Sequence, residues 1–445
     1  MSFAHAWQQL LKVSDKLQAS QEEVRRSEAE SQASEDLNWP SLSINGSYTR
    51  LESPIELDLR DLNPLASLDP TTLPPALAGA LGTIPGSLFV TPFTEQDLFR
   101  SSLQAMWPIY TGGRVTAAQG IHAAQVMEKE QQHQIAQREL FLQLVERYYG
   151  VAVSHALTET QSQLLLSLNQ HAEHAQKLEQ QGQIAKVERL NAQVALENAK
   201  VDYASARRQL EMAQLALSRM LHEQNVDTAS TLFILRDQPS LSQLNQMTLA
   251  EHPALKLLEA KEAQAQGLVE VEKGSYHPTV YLYGNYTLYE DDSLLAKMEP
   301  DWLVGVGVNI PLISRDGRSG KVQAARSALL QARYTKAQTR QDLSLLLDQS
   351  YRQLLQAKEE VDSLQVSQQL AEENKRLRDL AFSQGLSTSI DKVDAELKLS
   401  AVQTKQLAAR YRYLLAYARL MAVSGQLDEF VARASRVQEE EDARQ

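Results

Sequence analysis

The sequence predicts a fold of long α-helices and transmembrane β-strands arranged as a two-fold internal repeat. Two observations predict it: a strand-like segment occurs twice, and a long stretch with almost no helix breaker follows each copy. Residues 40–49 return as residues 278–287 without a gap, so that Gly46 matches Gly284. Each copy is therefore expected to contain a helix, a strand, a loop, a strand and a long helix, because an internal repeat of this length fixes the architecture.

The chain begins with a predicted helix over residues 3–37, which ends before Pro40 because proline disfavours helix at the residue preceding it. Residues 1–7 lack a basic segment followed by an apolar one, so we expect no secretory signal in this sequence.

Four segments alternate between apolar and polar residues, which is the period of a β-strand with one apolar face. Strands of about 9–11 residues with this pattern suit a bilayer-spanning barrel whose apolar face contacts lipid. An antiparallel sheet packed on a soluble core is the alternative. The predicted lipid-facing residues are Leu42, Ile44, Tyr48, Leu103, Val280, Leu282, Tyr286, Val304, Val306 and Val308.

The two copies differ in the loop between their strands. Residues 52–97 are rich in Pro, Leu, Asp, Thr and Gly, including Pro74-Pro75 and Pro85-Gly86, and predict a long loop with short helical turns. The matching loop of the second copy, residues 290–300, is far shorter.

Residues 115–221 and 322–421 predict long helices with apolar stripes. Gly182 and Gly385 interrupt them at matching places, which predicts two helical hairpins; one continuous coiled coil is the alternative. Each first arm would run ~100 Å at 1.5 Å per residue. The stripes are Leu140, Leu144, Tyr148 and Val151, and Leu343, Leu347, Tyr351 and Leu354.

Three shorter segments complete the prediction. Residues 231–235 form an apolar run that is a candidate strand before Pro239, and helix is expected to resume near Met247. Residues 437–445 are predicted to be a solvated or disordered tail because they are strongly acidic.

Composition argues against several functions. The net charge of −12 disfavours nucleic-acid binding, and the absence of cysteine excludes disulfides and thiolate metal sites. His171 and His174 have the spacing of a metal pair, yet an exposed polar helical face is expected there. Gly112, Gly113 and Gly317 predict strand-to-helix turns. We predict no catalytic residue, metal or cofactor.

The repeated strands, the two hairpins and the glycine turns resemble the TolC-type outer-membrane efflux and secretion channels across essentially the whole chain. The resemblance implies a homotrimer whose protomers each give four strands to a 12-stranded barrel, which removes every open edge in lipid. It further implies a periplasmic α-barrel built by the long helical hairpins, a periplasmic adaptor (membrane fusion) protein, and an inner-membrane pump of the RND, MFS or ABC type.

The same resemblance assigns each segment of the chain to a part of the channel. Residues 1–40 are the N-terminal helix of the α-barrel, 41–110 the first β-hairpin with a long extracellular loop, and 111–225 the first long helical hairpin. Residues 226–246 are an equatorial connector, 247–278 a helix of the second repeat, and 279–313 the second β-hairpin. Residues 314–424 are the second long hairpin, and 425–445 an equatorial segment and tail.

The glycine turns are the most specific part of the resemblance. Gly182-Gln183-Ile184 and Gly385-Leu386-Ser387 resemble the periplasmic tip turns that adaptors grip, and the second matches better than the first. Glu188 and Phe382 match an acidic and an aromatic position of the latch that closes the tip. Ser387 stands where the family has a basic latch residue.

Asp391 and Asp394 match the family's acidic constriction ring. Their i, i+3 spacing puts them on one helix face, and three copies would give six carboxylates that attract cations. Spacing alone is more typical of a solvated acidic face, which the neighbouring Lys392 also fits, and only the motif match favours the ring.

The sequence therefore predicts a passive outer-membrane exit duct for a tripartite efflux pump or a type I secretion system, spanning into the periplasm. A soluble coiled-coil scaffold with a small sheet is the alternative. An adaptor protein is disfavoured because no compact β-domain lies between the hairpin halves. The cargo is not encoded in any motif.

Overall fold

The structure is a computed structural model that describes residues 1–58, 70–72, 74, 75, 77, 79, 90–235, 240–291, 294, 296–313 and 315–442. It contains two compact units. One comprises Met1–Ala29, Ala123–Ala263 and Leu330–Gln445, and is helical; the other comprises Glu30–His122 and Gln264–Leu329, and contains the sheets.

The larger sheet is antiparallel and has the order β1-β4-β5-β6. Its strands are β1 (Ser41–Arg50), β4 (Asp97–Tyr110), β5 (Thr279–Glu290) and β6 (Trp302–Asn309). Within the long first loop, β2 (Glu56–Asp58) and β3 (Val90–Pro92) form a separate two-stranded ribbon. That ribbon was not expected from the sequence, whereas the four main strands lie where the alternation predicts them.

Cross-strand register places the apolar residues of the larger sheet on one face. Ile44 pairs with Leu103, Leu103 with Tyr286, and Tyr286 with Trp302. Directly opposed residues of an antiparallel pair share a face. Leu282 likewise opposes Val306, and Val280 opposes Val308.

The opposite face is polar and contains an unpredicted contact between glycine and tyrosine. Tyr283 lies over Gly305 and Tyr281 over Gly307, where an added Cβ would overlap the rings. The two tyrosine rings are 6.0 Å apart. Glycine in β6 thus makes room for two aromatic rings next to Asn285 and Gln104, which are paired across β4 and β5.

The helices follow the predicted plan with two additional breaks, at Ser14 and at His252. They are α1 (Phe3–Val13), α2 (Asp15–Glu35), α3 (Arg114–Gln180), α4 (Lys186–Leu221), α5 (Leu241–Glu251), α6 (Pro253–Gly274), α7 (Arg318–Ser383), α8 (Ser389–Ser424) and α9 (Leu427–Asp442). Ser14 separates α1 from α2, and its Oγ accepts a hydrogen bond from the Leu17 amide at 3.4 Å. A serine in this role is an N-cap, which starts a new helix. No described helix is long and apolar enough to cross a membrane.

The core of the helical unit combines an aromatic cluster with the two predicted stripes. Phe3 of α1 contacts Phe141 and Tyr149 of α3 and Phe430 of α9, with ring centroids 5.3–5.8 Å apart. Both stripes are buried apart from the half-buried Tyr351; their buried members are Leu140, Leu144, Tyr148, Val151, Leu343, Leu347 and Leu354.

Strand-to-helix turns occur where glycines predict them. Gly112 and Gly113 precede α3, and Gly317 precedes α7; all three have φ between 63° and 79°. This left-handed backbone favours glycine because it has no Cβ.

Three predictions about the connecting segments are wrong. Residues 231–235 form no strand; Phe233 packs into the core and the Leu235 amide donates to the Tyr413 hydroxyl at 3.2 Å. Helix resumes at Leu241 rather than near Met247. The acidic tail is helical as far as Asp442 because Phe430 and Ala434 bury one face of α9.

Parts of four predictions lie outside the described residues. They concern much of the long loop with Pro85-Gly86, Pro239, part of the short loop of the second copy, and residues 443–445.

Candidate functional site

The two hairpin turns have the same backbone in spite of different sequences. Gly182 (φ 70°) lies between α3 and α4, and Gly385 (φ 73°) between α7 and α8. In each turn the glycine amide donates three residues back, to Glu179 O at 2.8 Å or Phe382 O at 3.0 Å.

The residue after each glycine donates five residues back. The Gln183 amide donates to Leu178 O, and the Leu386 amide to Ala381 O, both at 2.9 Å. This 6→1 bond, with the preceding residue left-handed, is typical of a Schellman motif, which closes a helix C-terminus. The difference in sequence between Gly182-Gln183-Ile184 and Gly385-Leu386-Ser387 therefore leaves the turn geometry unchanged.

Glu188 connects the first hairpin to the start of α8. Its Oε2 accepts a hydrogen bond from the Ser389 backbone amide at 3.2 Å. A carboxylate at a helix N-terminus satisfies an amide that has no partner within the helix. Ser387, which the sequence comparison predicts to replace a basic latch residue, donates to Asp391 Oδ2 at 3.2 Å. In one chain, Glu188 is thus held by backbone rather than by a basic side chain.

Phe382 and His171 form a buried corner beside these turns. Phe382 is 9% exposed and meets the His171 ring edge-on, with centroids 5.1 Å apart. His171 is 2% exposed, and its Nε2 lies 2.7 Å from Ser389 Oγ. The expectation of an exposed face is therefore wrong for His171 and right only for His174, since the two hairpins pack together over His171.

Asp391 is first of all a helix cap. It forms a capping box with Thr388: the Asp391 amide donates to Thr388 Oγ1, and the Thr388 amide donates to Asp391 Oδ2. The carboxylate accepts hydrogen bonds from the Thr388 amide and from Thr388 Oγ1, and these bonds, the backbone one foremost, lower the pKa of Asp391. An ion contact with Arg378 at 3.6 Å acts in the same direction. Within one chain the pKa of Asp391 therefore moves opposite to the rise that repulsion in a ring of carboxylates would cause.

Asp394 is exposed on the same helix, one turn further along. Lys392 between them pairs with Asp379 of α7 at 3.1 Å and lies 5.8 Å from the Phe382 ring centroid. The two aspartates are thus not equivalent, because only Asp391 has a local structural task.

Further contacts between the hairpins involve residues that sequence reasoning missed. Glu396 is 5% exposed; it accepts from Ser167 Oγ at 2.6 Å and pairs with Lys375 Nζ at 3.1 Å. Next to it lies an apolar cluster of Leu164, Leu168, Ala195, Ala199 and Val393. No local signal marks Glu396 or His171, because their burial depends on how α3, α4 and α8 pack.

The sheet offers a second candidate surface, with the predicted lipid-facing residues on its apolar side. On the edge strands they are wide open: Ile44 is 70% exposed and Val304 72%. Leu103, Val280 and Leu282 on the central strands are half-buried between neighbours. Contact with lipid stays a prediction.

No group of three metal-ligating side chains occurs among the residues that the structure describes. The residues of this site pack against one another, cap helix ends and form ion pairs near those ends.

Comparison with known proteins places these features in a family. A family model described as "Outer membrane efflux protein" matches residues 6–222 and 244–426. The protein CyaE of Bordetella pertussis is 25% identical over 245 residues, which are 52% of this chain and 51% of CyaE. The match thus spans about half the length of that relative.

Solved structures agree in fold. A CusC structure has a TM-score of 0.76 at 14% identity, covering 95% of this chain and 92% of that chain. VceC of Vibrio cholerae has a TM-score of 0.74 at 14% identity, covering 95% and 96%. The open-state MtrE channel of Neisseria gonorrhoeae has a TM-score of 0.74 at 16% identity, covering 96% and 89%. The family match extends over both halves of the repeat, and the chain belongs to the outer membrane efflux protein family.

Proposed function

We propose that this chain is the outer-membrane exit duct of a tripartite efflux pump or a type I secretion system. It acts as a passive homotrimeric channel, and partner proteins supply the energy. The observation that carries the proposal is the exposed apolar face of the β1-β4-β5-β6 sheet in a chain of this family. Large apolar patches exposed on an isolated chain mark surfaces that another phase or partner covers.

The edges of the sheet support the trimer. Among the described residues of a single chain, β1 and β6 each have a strand neighbour on one side only, so their outer backbone groups lack strand partners there. Unpaired strand edges are not tolerated in lipid, and a closed ring of three copies pairs all of them.

The turns around Gly182 and Gly385 support contact with a periplasmic adaptor. They present Gln183 and Leu386 outward, and Leu386 is 78% exposed. An RND, MFS or ABC pump would then deliver cargo to the duct, with Asp391 and Asp394 forming the acidic constriction at its narrow end.

The experiment is conductance of the detergent-extracted protein in planar bilayers, together with its mass in detergent. A trimer that forms stable, cation-preferring channels supports the proposal. A monomer that remains in solution without detergent would support the scaffold alternative instead.

A further inference from the structure

His171 has a buried imidazole, and the exit-duct function assigns no role to it. It belongs to α3, and its Nε2 contacts Ser389 Oγ of α8 at 2.7 Å. Its Nδ1 is buried and has no hydrogen-bond partner in the described part of the chain. A buried histidine with one satisfied and one unsatisfied nitrogen is sensitive to protonation, because the imidazolium needs two acceptors.

Ser389 also connects His171 to α4, the second arm of the first hairpin. The same Ser389 that touches His171 donates its amide to Glu188 of α4 at 3.2 Å, and Ser389 is 1% exposed. Phe382 of α7 covers the imidazole edge-on. His171 therefore lies where the ends of all four hairpin arms meet. Ser389 contacts His171 through its hydroxyl and Glu188 through its backbone amide.

The charges around the imidazole disfavour a proton on it. Lys392 already pairs with Asp379 at 3.1 Å. The Asp379 carboxylate is therefore shared and is not available to His171 alone. Glu396 is likewise committed to Lys375 and Ser167. The titratable or charged groups facing this corner are His174 from α3, Glu188 from α4, Lys375, Arg378 and Asp379 from α7, and Asp391, Lys392 and Glu396 from α8.

We propose that neutral His171 is the positioning residue of the tip, which keeps the start of α8 against Glu188, and that proton uptake by His171 releases this contact. The proposal deepens the exit-duct function and rests on it for any consequence in transport. In that setting, His171 makes the tip looser at acidic pH.

The direction of the pKa agrees with this geometry. Burial first, then Lys392 and His174, lower the pKa of His171 from 6.5 to about 4, while Asp379 opposes them. Because the folded pKa is depressed, the packed tip favours the neutral ring. Its contribution is complete above about pH 6.5 and is lost as the pH falls through about 4.

The experiment measures the distance between the two turns as a function of pH. The chain has no cysteine, so Gln181→Cys and Gln384→Cys introduce a unique pair of exposed spin-label sites. The full-length protein, doubly labelled and mixed with excess unlabelled chain, is measured in detergent between about pH 7 and about pH 4. We expect a narrow distance distribution at neutral pH and a reversible broadening with a midpoint near pH 4.

Two variants of matched chemistry isolate His171. His171→Gln keeps a polar group near Ser389 but carries no charge at any pH, so the broadening should disappear. His174→Gln removes an exposed histidine one turn away, and the broadening should persist with its midpoint at a somewhat higher pH, because His174 contributes to lowering the pKa of His171. Should His171→Gln fail to fold, Ser389→Ala is the second test, and it should broaden the distribution already at neutral pH.

The proposal is overturned by an unchanged pH response in His171→Gln, or by a parent protein whose distances stay constant down to pH 4. A narrow neutral-pH distribution in folded Ser389→Ala would also contradict it. Failure of the exit-duct function has a different signature, namely no channels in planar bilayers at any pH. The distance measurement does not depend on conductance, so the two failures are separable.

Discussion

Gly385 is a residue whose backbone, rather than its surroundings, restricts what can replace it. Its φ is 73°, and no heavy atom lies within 4 Å of an added Cβ. A side chain therefore meets no clash, but the left-handed conformation costs roughly 1–2 kcal/mol for an L-residue. We predict that Gly385→Val opens the turn and reduces adaptor binding and efflux, with the barrel still assembled. Pull-down with the adaptor and complementation of an efflux-deficient strain measure this.

Gly385→Asn is the matched control, because asparagine tolerates left-handed backbone. It should bind adaptor far better than the valine variant. If the valine variant complements fully, adaptors do not grip this turn.

The two aspartates of the candidate constriction have different local roles, so their substitutions should have different effects. Asp394→Ala removes an exposed charge, so we predict weaker cation selectivity and weaker block by trivalent cations, with thermal stability unchanged. Replacing both aspartates should weaken selectivity further without changing trimer assembly. Planar-bilayer recordings of the single and double variants measure the change; unchanged selectivity in both would make this a solvated helix face.

Asp391→Ala should additionally loosen the first turn of α8, because it breaks the capping box with Thr388. The pKa of Asp391 is lowered in the fold, so the cap's contribution is present above its unfolded value of about 3.9 and is lost as pH falls through the lower folded value. Amide exchange of residues 389–391 should rise in the variant at neutral pH. Asp391→Asn retains an acceptor and should show a smaller rise.

At the scale of single residues, the sequence predicted which residues form the turns better than it predicted which side chains are buried. The positions of the hairpin turns at Gly182 and Gly385 follow from the repeat alone, and both glycines have positive φ in the structure. His171 was misjudged because its helical neighbours are polar, while its burial comes from α8, more than two hundred residues away in the chain. Contacts of this kind arise from tertiary packing and leave no local period.

Among the elements, the apolar face of the sheet gives the clearest prediction. Leu282 and Val306 are direct cross-strand partners on that face. A mid-bilayer arginine costs about 2–4 kcal/mol on such barrels. Leu282→Arg or Val306→Arg should therefore block barrel assembly, measured as trimer yield in membranes. Asn285→Arg on the opposite, polar face is the control and should assemble; normal yield of both apolar-face variants would contradict lipid contact.

The elements also show where periodicity is informative. Alternation located the strands because one face is uniformly apolar, and the two stripes located the buried faces of α3 and α7. The contact of Tyr281 with Gly307 was not predictable, since it depends on register between β5 and β6. The acidic composition of the tail indicates disorder, whereas Phe430 and Ala434, four residues apart and both buried, hold α9 as a helix.

For the whole molecule, the decisive feature is the pair of strand edges. Neighbouring strands in the order β1-β4-β5-β6 are antiparallel, so β1 and β6 run in opposite directions. When β6 of one copy pairs with β1 of the next, the end of β6 meets the start of β1. Exposed apolar residues occur at both of these ends: Trp39 before β1 is 71% exposed, and Leu312 and Ile313 after β6 are 84% and 97% exposed.

These residues predict an apolar contact between neighbouring copies at the helix-proximal end of the sheet. Arg318 holds the segment in place, donating to Pro311 O at 3.0 Å and lying over the Tyr276 ring at 4.8 Å. A fixed segment that points Leu312 and Ile313 outward gains about 1.5–3 kcal/mol for each side chain that becomes fully buried. The contact would thus add to strand pairing in holding the trimer.

We therefore predict that Leu312→Ser with Ile313→Ser lowers the stability of the trimer without unfolding the protomer. The trimer should dissociate at lower temperature in detergent, as followed by semi-native electrophoresis, while circular dichroism retains the helical signal. Ile55→Ser is the control, because Ile55 is 56% exposed but lies at the other end of β1. Trp39→Ser should resemble the double variant, since both remove one side of the same contact. Equal dissociation temperatures for the double variant, the control and the parent would place Leu312 and Ile313 outside the interface and leave the strand edges alone to hold the copies together.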